Sequence, residues 1–340
     1  MTRRSRPVDA YVTAVERRLN PFRRADHADP ALRRRQAAEF DVIATAELGV
    51  TPIPAATEDH ILPVPGHPDV RLRVYWPSTE RAEPSAGEGL PIFVYFYGGG
   101  FTIAGIDWVG WDAGFRERAR DAGVIVVAGE YSHAPEVRFP AQPEQCWTVV
   151  EWAVGNAISL GGDPAKVAVG GASSGGNLAA VTTLMNRDRN RHPLRLQVLE
   201  APALDLTMRH TETTGIGTRV PGVILRRMGR MLVRQYLGDP AIARRDPYAS
   251  PLRAASFEGL PPAVVYTSEL DPLRGDGEEY VRRLSAAGVP ATGIRYVGQT
   301  HTSGGLRRHV PSSDHLHRDI VATLRTLHEP APEYADPRVR

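Results

Sequence analysis

Short runs of β-branched and aromatic residues alternate with helix-length segments along most of this chain, and this alternation limits the fold that it can adopt. Runs of this kind without polar alternation would form strands that are buried on both faces. A parallel sheet that is covered by helices provides that environment, and we therefore predict the α/β class. The six runs are Ile92–Tyr97, Val124–Ala128, Val167–Val169, Leu194–Leu199, Ala263–Tyr266 and Ile294–Val297.

The pattern also divides the chain into regions. Ile61–Val64 and Val70–Tyr75 alternate like strands, with a Pro/Gly turn between them, and predict an opening pair of strands. Helical spacing of apolar residues between Asp9 and about Leu48 predicts two or three N-terminal helices, and Val223–Leu237 predicts another helix within a long insertion. We assign residues 1–55 to N-terminal cap helices, 56–204 and 261–328 to the core, 205–260 to a cap insertion, and 329–340 to a C-terminal tail.

A serine stands between a predicted strand and a predicted helix, within the G-x-S-x-G sequence of residues 171–175. A tight strand-to-helix turn needs small neighbours, because side chains beside the serine would collide with the strand and the helix. The turn also places the Ser173 hydroxyl at a helix N-terminus, where peptide dipoles favour developing negative charge. Because strand and helix flank the motif, we predict that Ser173 is a nucleophile and not a chance turn residue.

Three consecutive glycines, Gly98, Gly99 and Gly100, follow the first buried run. Bare backbone N–H groups can approach a substrate oxygen closely and stabilise the anion of a tetrahedral intermediate. A flexible connector is the alternative interpretation. We predict an oxyanion hole formed by Gly99, Gly100 and the backbone N–H of Ser174, with Gly98 as a further candidate.

A serine nucleophile needs a base, and the base needs a carboxylate that fixes its tautomer and direction. Asp271 and His301 each follow a predicted strand, in the order Ser, Asp, His, and so fall at the same edge of the sheet as Ser173. We predict a triad of Ser173, Asp271 and His301. Spacing alone does not dismiss Glu269 and Asp276 as rival carboxylates. Structural roles are expected for four other histidines: His133, His309, His315 and His317.

Composition excludes several other functions. The 41 basic and 39 acidic residues leave a net charge of +2, which provides no field for nucleic acid or a stable membrane association, and we interpret the basic N-terminus as a solvated helix face. Cys146 is the single cysteine, so the chain forms no internal disulfide and no Cys-rich metal site. We expect no metal or cofactor. Without a signal-peptide pattern or a long apolar segment, we expect a cytoplasmic protein.

These motifs resemble those of the hormone-sensitive-lipase-like family of α/β-hydrolases, bacterial esterases with an H-G-G-G loop and a G-D-S-A-G-G elbow. The resemblance runs from about Ile92 to the C-terminal helix and includes residues 131–136, 139–141, 162–164 and 271–274. It implies the α/β-hydrolase fold, a mostly parallel eight-stranded sheet flanked by helices, with a helical cap from the N-terminus and the insertion. It also implies hydrolysis of short- to medium-chain acyl esters without a cofactor, often by a homodimer.

The chain departs from the family motifs at three positions. Tyr97 replaces the family's His, Ala172 replaces the Asp of the elbow, and Ser174 replaces the Ala that follows the nucleophile. None of these changes removes a triad residue or a backbone oxyanion donor. In the family the lost His and Asp help to brace the loops around the site, so the departures raise the question of altered bracing or of a changed reaction.

We therefore predict a serine carboxylesterase that acts on a small-molecule ester through an acyl-enzyme. A specialised enzyme for acyl transfer, lactone formation or elimination is the alternative, because a fold does not fix a reaction. A non-catalytic receptor is a further alternative, although such a receptor would be expected to lose a triad residue. Candidate walls of the substrate pocket, near the glycine loop, are Tyr97, Phe101, Trp108 and Trp111.

Overall fold

Eight strands form one sheet in the computed structural model, which describes residues 29–83, 89–212, 222–307 and 309–332 together with Ala14 and Arg18. The order across the sheet is β1-β2-β4-β3-β5-β6-β7-β8. β2 is antiparallel to both of its neighbours, and all pairs from β4 to β8 are parallel. The strands are β1 (Thr57–Val64), β2 (His67–Tyr75), β3 (Leu90–Phe96), β4 (Ile125–Glu130), β5 (Gly162–Ala172), β6 (Leu194–Glu200), β7 (Ala263–Leu270) and β8 (Ala291–Thr300).

The central strands are buried on both faces, as their unbroken apolar runs predict. Val94 of β3 pairs with Val127 of β4 on one side and with Val169 of β5 on the other, and all three side chains are fully buried. Each predicted run falls on one of the six parallel strands. The predicted α/β class and mostly parallel eight-stranded sheet are therefore confirmed.

Helices cover the two faces of this sheet. Tyr95 contacts Trp111 and Phe115 of α2 on one face, whereas Phe96, the next residue, lies near Val149 of α3 on the other. α8 packs against α2, and α4 packs against α3. The α-helices are α1 (Pro30–Glu47), α2 (Val109–Ala122), α3 (Ala141–Gly155), α4 (Ser174–Asp188), α5 (Gly222–Leu237), α6 (Ile242–Arg245), α7 (Arg274–Ala286) and α8 (Pro311–Arg325).

Short 3₁₀ helices lie in the connections between these elements. Such single turns are common as connectors and at the ends of α-helices. Their bounds are Ile158–Leu160, Pro251–Arg253, Ser303–Gly305 and Thr326–His328.

Three of the α-helices described, α1, α5 and the short α6, lie in the predicted cap regions. α1 begins at the Asp29 cap, whose carboxylate accepts the N–H groups of Ala31 and Leu32, and α1 packs against α2. α5 coincides with the helix predicted over Val223–Leu237. The other predicted N-terminal helix positions (Tyr11, Val12, Val15 and Leu19) lie outside the described residues, as does most of the C-terminal tail. The boundaries of cap and core stay predictions.

None of the helices described is long and apolar enough to cross a bilayer. Within the described ranges, no group of three or more His, Cys, Asp or Glu side chains is arranged to hold a metal ion.

Candidate active site

Ser173 occupies the turn between β5 and α4 in a conformation that few residues adopt. Its φ of 53° and ψ of −115° lie outside the regions favoured by L-residues. Three backbone hydrogen bonds hold the turn: the Ser173 N–H donates to the Glu200 carbonyl at 2.9 Å, and the Ser173 carbonyl accepts the N–H groups of Asn177 at 3.0 Å and Ala203 at 3.1 Å. The surrounding backbone therefore maintains the strained residue in place.

The glycines of the motif allow the backbone to adopt this turn without steric clashes. A Cβ on Gly171 would lie 2.3 Å from the Gly175 carbonyl oxygen, and a Cβ on Gly175 would lie 2.0 Å from the Phe96 carbonyl oxygen. Both distances are far below van der Waals contact. The predicted requirement for small residues beside Ser173 thus has a direct cause in the approach of β3 to the turn.

The three predicted triad residues lie within hydrogen-bond distance of one another. His301 Nε2 is 2.9 Å from Ser173 Oγ, and His301 Nδ1 is 2.9 Å from Asp271 Oδ2. Asp271 is fully buried, and its other oxygen accepts the Leu273 N–H at 2.7 Å. A carboxylate on Nδ1 favours the tautomer whose Nε2 carries a lone pair, so Nε2 can accept the serine proton.

The rival carboxylates face other groups. Asp276 Oδ2 accepts the backbone N–H groups of Leu204 at 2.8 Å and Asp205 at 2.9 Å. Glu269 Oε2 accepts the Gly298 N–H at 2.8 Å. Both residues hold backbone segments together, and neither is bonded to the imidazole.

Other histidines also have partners away from the serine. His133 Nε2 lies 3.3 Å from the Tyr97 hydroxyl, and His317 Nε2 lies 2.9 Å from Asp121. Burial lowers the pKa of each to about 4, so both are neutral at pH 7. His309 and His315 contact the backbone carbonyls of Leu48 and Pro311. These contacts agree with the structural roles expected from the sequence.

The glycine loop lies directly against the nucleophile turn. A Cβ on Gly98 would lie 2.9 Å from the Ala172 carbonyl oxygen, so only glycine allows this approach. The Gly99 N–H, predicted as an oxyanion donor, instead donates to Ser174 Oγ at 3.0 Å. Gly100 has a φ of 60°, and its N–H has no acceptor within the residues described. The Ser174 N–H lies in the first turn of α4, where N–H groups lack helical partners.

Tyr97 does not line an open pocket, which corrects the prediction. Its side chain is fully buried and stacks on Tyr131 with ring centroids 4.6 Å apart. Its hydroxyl lies 3.4 Å from the Tyr131 carbonyl and also contacts His133. Tyr97 is the first residue beyond β3, which ends at Phe96. Its side chain, which we predicted to line the substrate pocket, is part of the core.

The other candidate pocket residues lie around the glycine loop. Phe101 stacks on Tyr236 of α5, with ring centroids 3.8 Å apart. Trp111 packs near Tyr95 and Phe115 on the face covered by α2, and Trp108 packs against the small cluster of Ala37 and Ile103. A role of these three residues as pocket walls stays a prediction.

Sequence reasoning missed a largely but not fully buried ion pair beneath the nucleophile turn. Arg118 Nη2 donates to Glu200 Oε2 at 2.8 Å, and the Tyr95 hydroxyl donates to Glu200 Oε1 at 2.9 Å. Glu200 also supplies the carbonyl that accepts the Ser173 N–H. The available signal was a glutamate that directly follows the apolar run Leu194–Leu199, a position where a buried charge needs a partner.

Comparisons with known proteins identify the fold family of the chain. A family model described as the alpha/beta hydrolase fold matches residues 93–303. Carboxylesterase NlhH of Mycobacterium tuberculosis is 34% identical over 278 residues, which cover 80% of this chain and 83% of that protein. The crystal structure of EstE1, a thermophilic carboxylesterase from a metagenomic library, is 34% identical, with a TM-score of 0.77 over 89% of this chain and 99% of the other.

A further solved structure extends the similarity to nearly the whole chain. The hyperthermophilic esterase of the archaeon Pyrobaculum calidifontis is 33% identical, with a TM-score of 0.79 over 95% of this chain and 98% of the other. The names of these proteins agree with the predicted class of carboxylic ester hydrolase. The chain belongs to the α/β-hydrolase fold family, and its predicted membership of the hormone-sensitive-lipase-like group is confirmed.

Proposed function

We propose that this chain is a serine carboxylesterase that hydrolyses short- to medium-chain acyl esters through an acyl-enzyme. The observation that carries the proposal is the continuous hydrogen-bonded series from Ser173 Oγ through His301 to Asp271, with both contacts at 2.9 Å. The strained turn at Ser173 and the family membership of the chain support the same reaction.

Acylation begins when Ser173 Oγ attacks the ester carbonyl carbon and its proton passes to His301 Nε2. The carbonyl oxygen becomes an anion, for which the N–H groups of Gly100 and Ser174 are the candidate donors. Asp271 stabilises the imidazolium through Nδ1. When the tetrahedral intermediate collapses, the bond to the alkoxy group breaks and His301 protonates the departing alcohol.

Deacylation repeats these steps with water as the nucleophile. His301 accepts a proton from the water, whose oxygen bonds to the acyl carbon, and the proton then returns to Ser173 Oγ as the acid is released. Every bond that forms is matched by one that breaks, and the steps require no cofactor.

The contacts of α5 support a limit on acyl length. A Cβ on Gly100 would lie 3.5 Å from Leu232 Cδ1, so α5 packs directly over the glycine loop. Tyr236 of the same helix covers Phe101. We expect acetate, butyrate and octanoate esters to be hydrolysed faster than laurate esters, because a long acyl chain would have to displace these contacts.

Hydrolysis of p-nitrophenyl acetate, butyrate, octanoate and laurate by the wild type and by Ser173→Ala tests the proposal. We expect the substitution to reduce kcat by at least about 10⁴-fold, as for other serine nucleophiles. Ser285→Ala, which changes an exposed serine at the end of α7, is the matched control and should retain wild-type turnover. Ester turnover that survives in Ser173→Ala would refute the assignment of the nucleophile.

The remaining expectations concern the assembly and location of the protein. We infer a homodimer and a cytoplasmic location from the family resemblance and the sequence pattern. Sedimentation velocity of the purified chain tests the first of these predictions, and fractionation of the source cells tests the second.

A further inference from the structure

The side chain of Ser174 forms contacts that ester hydrolysis by the triad does not require. The residue is 1% exposed and directly follows the nucleophile. Its Oγ accepts the Gly99 N–H at 3.0 Å and lies 3.3 Å from the Tyr131 hydroxyl. An alanine at this position would supply the same backbone N–H without either contact.

The direction of each hydrogen bond in this group can be assigned. The Tyr131 hydroxyl has one proton, which it donates to the Tyr97 carbonyl at 2.9 Å. Its contact with Ser174 must then use the Ser174 proton, and Ser174 Oγ in turn accepts from Gly99. The resulting series runs from the Gly99 N–H through the Ser174 and Tyr131 hydroxyls to the Tyr97 carbonyl.

This series occupies one of the N–H groups that could stabilise an oxyanion. An N–H that already has an acceptor can stabilise a new anion only by giving up or sharing that bond. The Gly100 N–H is without an acceptor in the described part of the chain, and the Ser174 N–H lies at the open end of α4. Among the described residues, the candidate hole therefore has two donors without an acceptor and a third, the Gly99 N–H, that is bonded to Ser174 Oγ.

We propose that Ser174 is a positioning residue whose hydroxyl withdraws the Gly99 N–H from the oxyanion hole and so limits the rate of attack by Ser173. The inference rests on the proposed function, since the hole serves that reaction. The Ser174 side chain then has a kinetic role, although the residue would contact the substrate only through its backbone N–H.

The turn around Gly99 would keep its N–H in place if the Ser174 hydroxyl were removed. The Gly99 carbonyl accepts the N–H groups of Thr102 and Ile103, each at 3.1 Å, and a Cβ on Gly99 would lie 1.9 Å from the Ile103 carbonyl oxygen. These contacts fix the peptide independently of Ser174. Removal of the hydroxyl should thus release the donor without displacing the loop.

The test compares the wild type with Ser174→Ala in two assays. A single oxyanion donor contributes about 10²–10³-fold in kcat at ideal geometry. Because the Gly99 N–H of the wild type can still share its bond with an oxyanion, we expect the alanine variant to gain less than this. The expected gain is about tenfold in kcat on p-nitrophenyl butyrate, with KM within about twofold. The second assay measures the inhibition constant of an alkyl trifluoromethyl ketone. Ser173 Oγ adds to the carbonyl carbon of this inhibitor, and the product is a hemiketal oxyanion. That constant should fall by about the same factor, because the inhibitor reports on the hole itself.

Thr102→Ala is the matched control. It removes a hydroxyl that lies 3.4 Å from the carbonyl of the same glycine and leaves the bond between the Gly99 N–H and Ser174 intact. We expect neither a gain in kcat nor tighter inhibitor binding. A gain in both variants would attribute the effect to a loosened loop and would overturn the proposal.

Other outcomes are equally decisive. A folded Ser174→Ala, checked by circular dichroism, with lower kcat and unchanged or weaker inhibitor binding would show that the hydroxyl braces the loop and does not restrain a donor. If the alanine variant does not fold, Ser174→Gly tests the same prediction, because glycine also lacks the hydroxyl. The ketone requires no ester turnover, so a wild type that binds it but hydrolyses no ester refutes the proposed function while the comparison still decides the role of Ser174.

Discussion

The turn after β7 and the first turn of α7 each carry a buried aspartate, and the two carboxylates have different tasks. Asp271 is fully buried and bonded to His301 Nδ1, whereas Asp276 is 2% exposed and accepts the backbone N–H groups of Leu204 and Asp205. Only five positions separate them in the sequence. Burial alone therefore does not distinguish the carboxylate that is bonded to the imidazole from the one that holds backbone N–H groups.

The groups around each carboxylate decide the difference. Desolvation by burial, together with the nearby charges of Asp205 and Asp271, raises the pKa of Asp276 to about 8 although two backbone hydrogen bonds lower it. Asp276 is thus largely protonated at pH 7. Asp271 instead faces the imidazole of His301, which becomes a cation in the proposed reaction, so a negative charge at Asp271 would stabilise that cation.

The largest effect expected from this comparison is on Asp271→Asn. The asparagine amide would donate to Nδ1 and so favour the tautomer that carries its proton on Nε2, which can no longer accept the proton of Ser173. We expect kcat to fall by about 10³–10⁴-fold with little change in KM. Steady-state kinetics on p-nitrophenyl butyrate measure the change.

Asp276→Asn is the matched control for Asp271→Asn, because it makes the same substitution at the other buried aspartate. Its kcat should stay within about threefold of the wild type, since Asp276 contacts no triad side chain through a hydrogen bond. Equal losses in the two variants would contradict the division of tasks between the two regions.

Asp276→Asn should also change how stability depends on pH. In the unfolded chain Asp276 ionises near its ordinary pKa of 3.8, but in the folded protein its pKa is about 8. Its stabilising contribution is therefore complete below about pH 4 and is lost as the pH rises towards 8. Asparagine does not titrate, and its amide oxygen can accept the same two N–H groups. The free energy of unfolding of the variant, relative to the wild type, should thus rise by up to about 1.4 kcal/mol per pH unit between pH 4 and 8.

Urea unfolding at pH 5, 6, 7 and 8 measures this slope. Asp314→Asn is a suitable comparison, because a hydrogen bond from Arg318 lowers the pKa of Asp314 below its ordinary value, and its own contribution then changes below about pH 4. A slope for Asp276→Asn that is the same as for Asp314→Asn would mean that Asp276 is ionised in the folded protein.

The strands and the triad could be predicted because their signals are local. An unbroken apolar run marks a strand that is buried on both faces, as for β3 and β5, and each predicted triad residue directly follows a strand in a known order. β5 nevertheless extends well beyond its predicted run of Val167–Val169, to Gly162–Ala172. Its ends pair with Leu90 of β3 and Glu200 of β6, so neighbouring strands supply the order that its own glycines and polar residues do not indicate.

The environment of the glycine loop could not be predicted, because its partners are distant in sequence. The Gly99 N–H bonds to Ser174, 75 positions away, and the Tyr97 ring stacks on Tyr131, 34 positions away. A local pattern identifies a glycine or tyrosine but not the group that comes to face it. The motif therefore predicted Gly99 as a donor but not the bond from its N–H to Ser174 Oγ, and the oxyanion hole itself stays a prediction.

The smallest effect is expected for Glu269, the other carboxylate near the end of β7. Its side chain accepts the Gly298 N–H at 2.8 Å and so links β7 to β8 shortly before His301. Glu269→Gln keeps an oxygen that can accept this bond, and we expect kcat/KM within about twofold of the wild type and an unchanged urea midpoint. Glu269→Ala should lose about 1 kcal/mol of unfolding free energy without a comparable loss of kcat, because only the hydrogen bond to Gly298 disappears. A fall in kcat for either variant as large as that for Asp271→Asn would instead make Glu269 the carboxylate that orients His301.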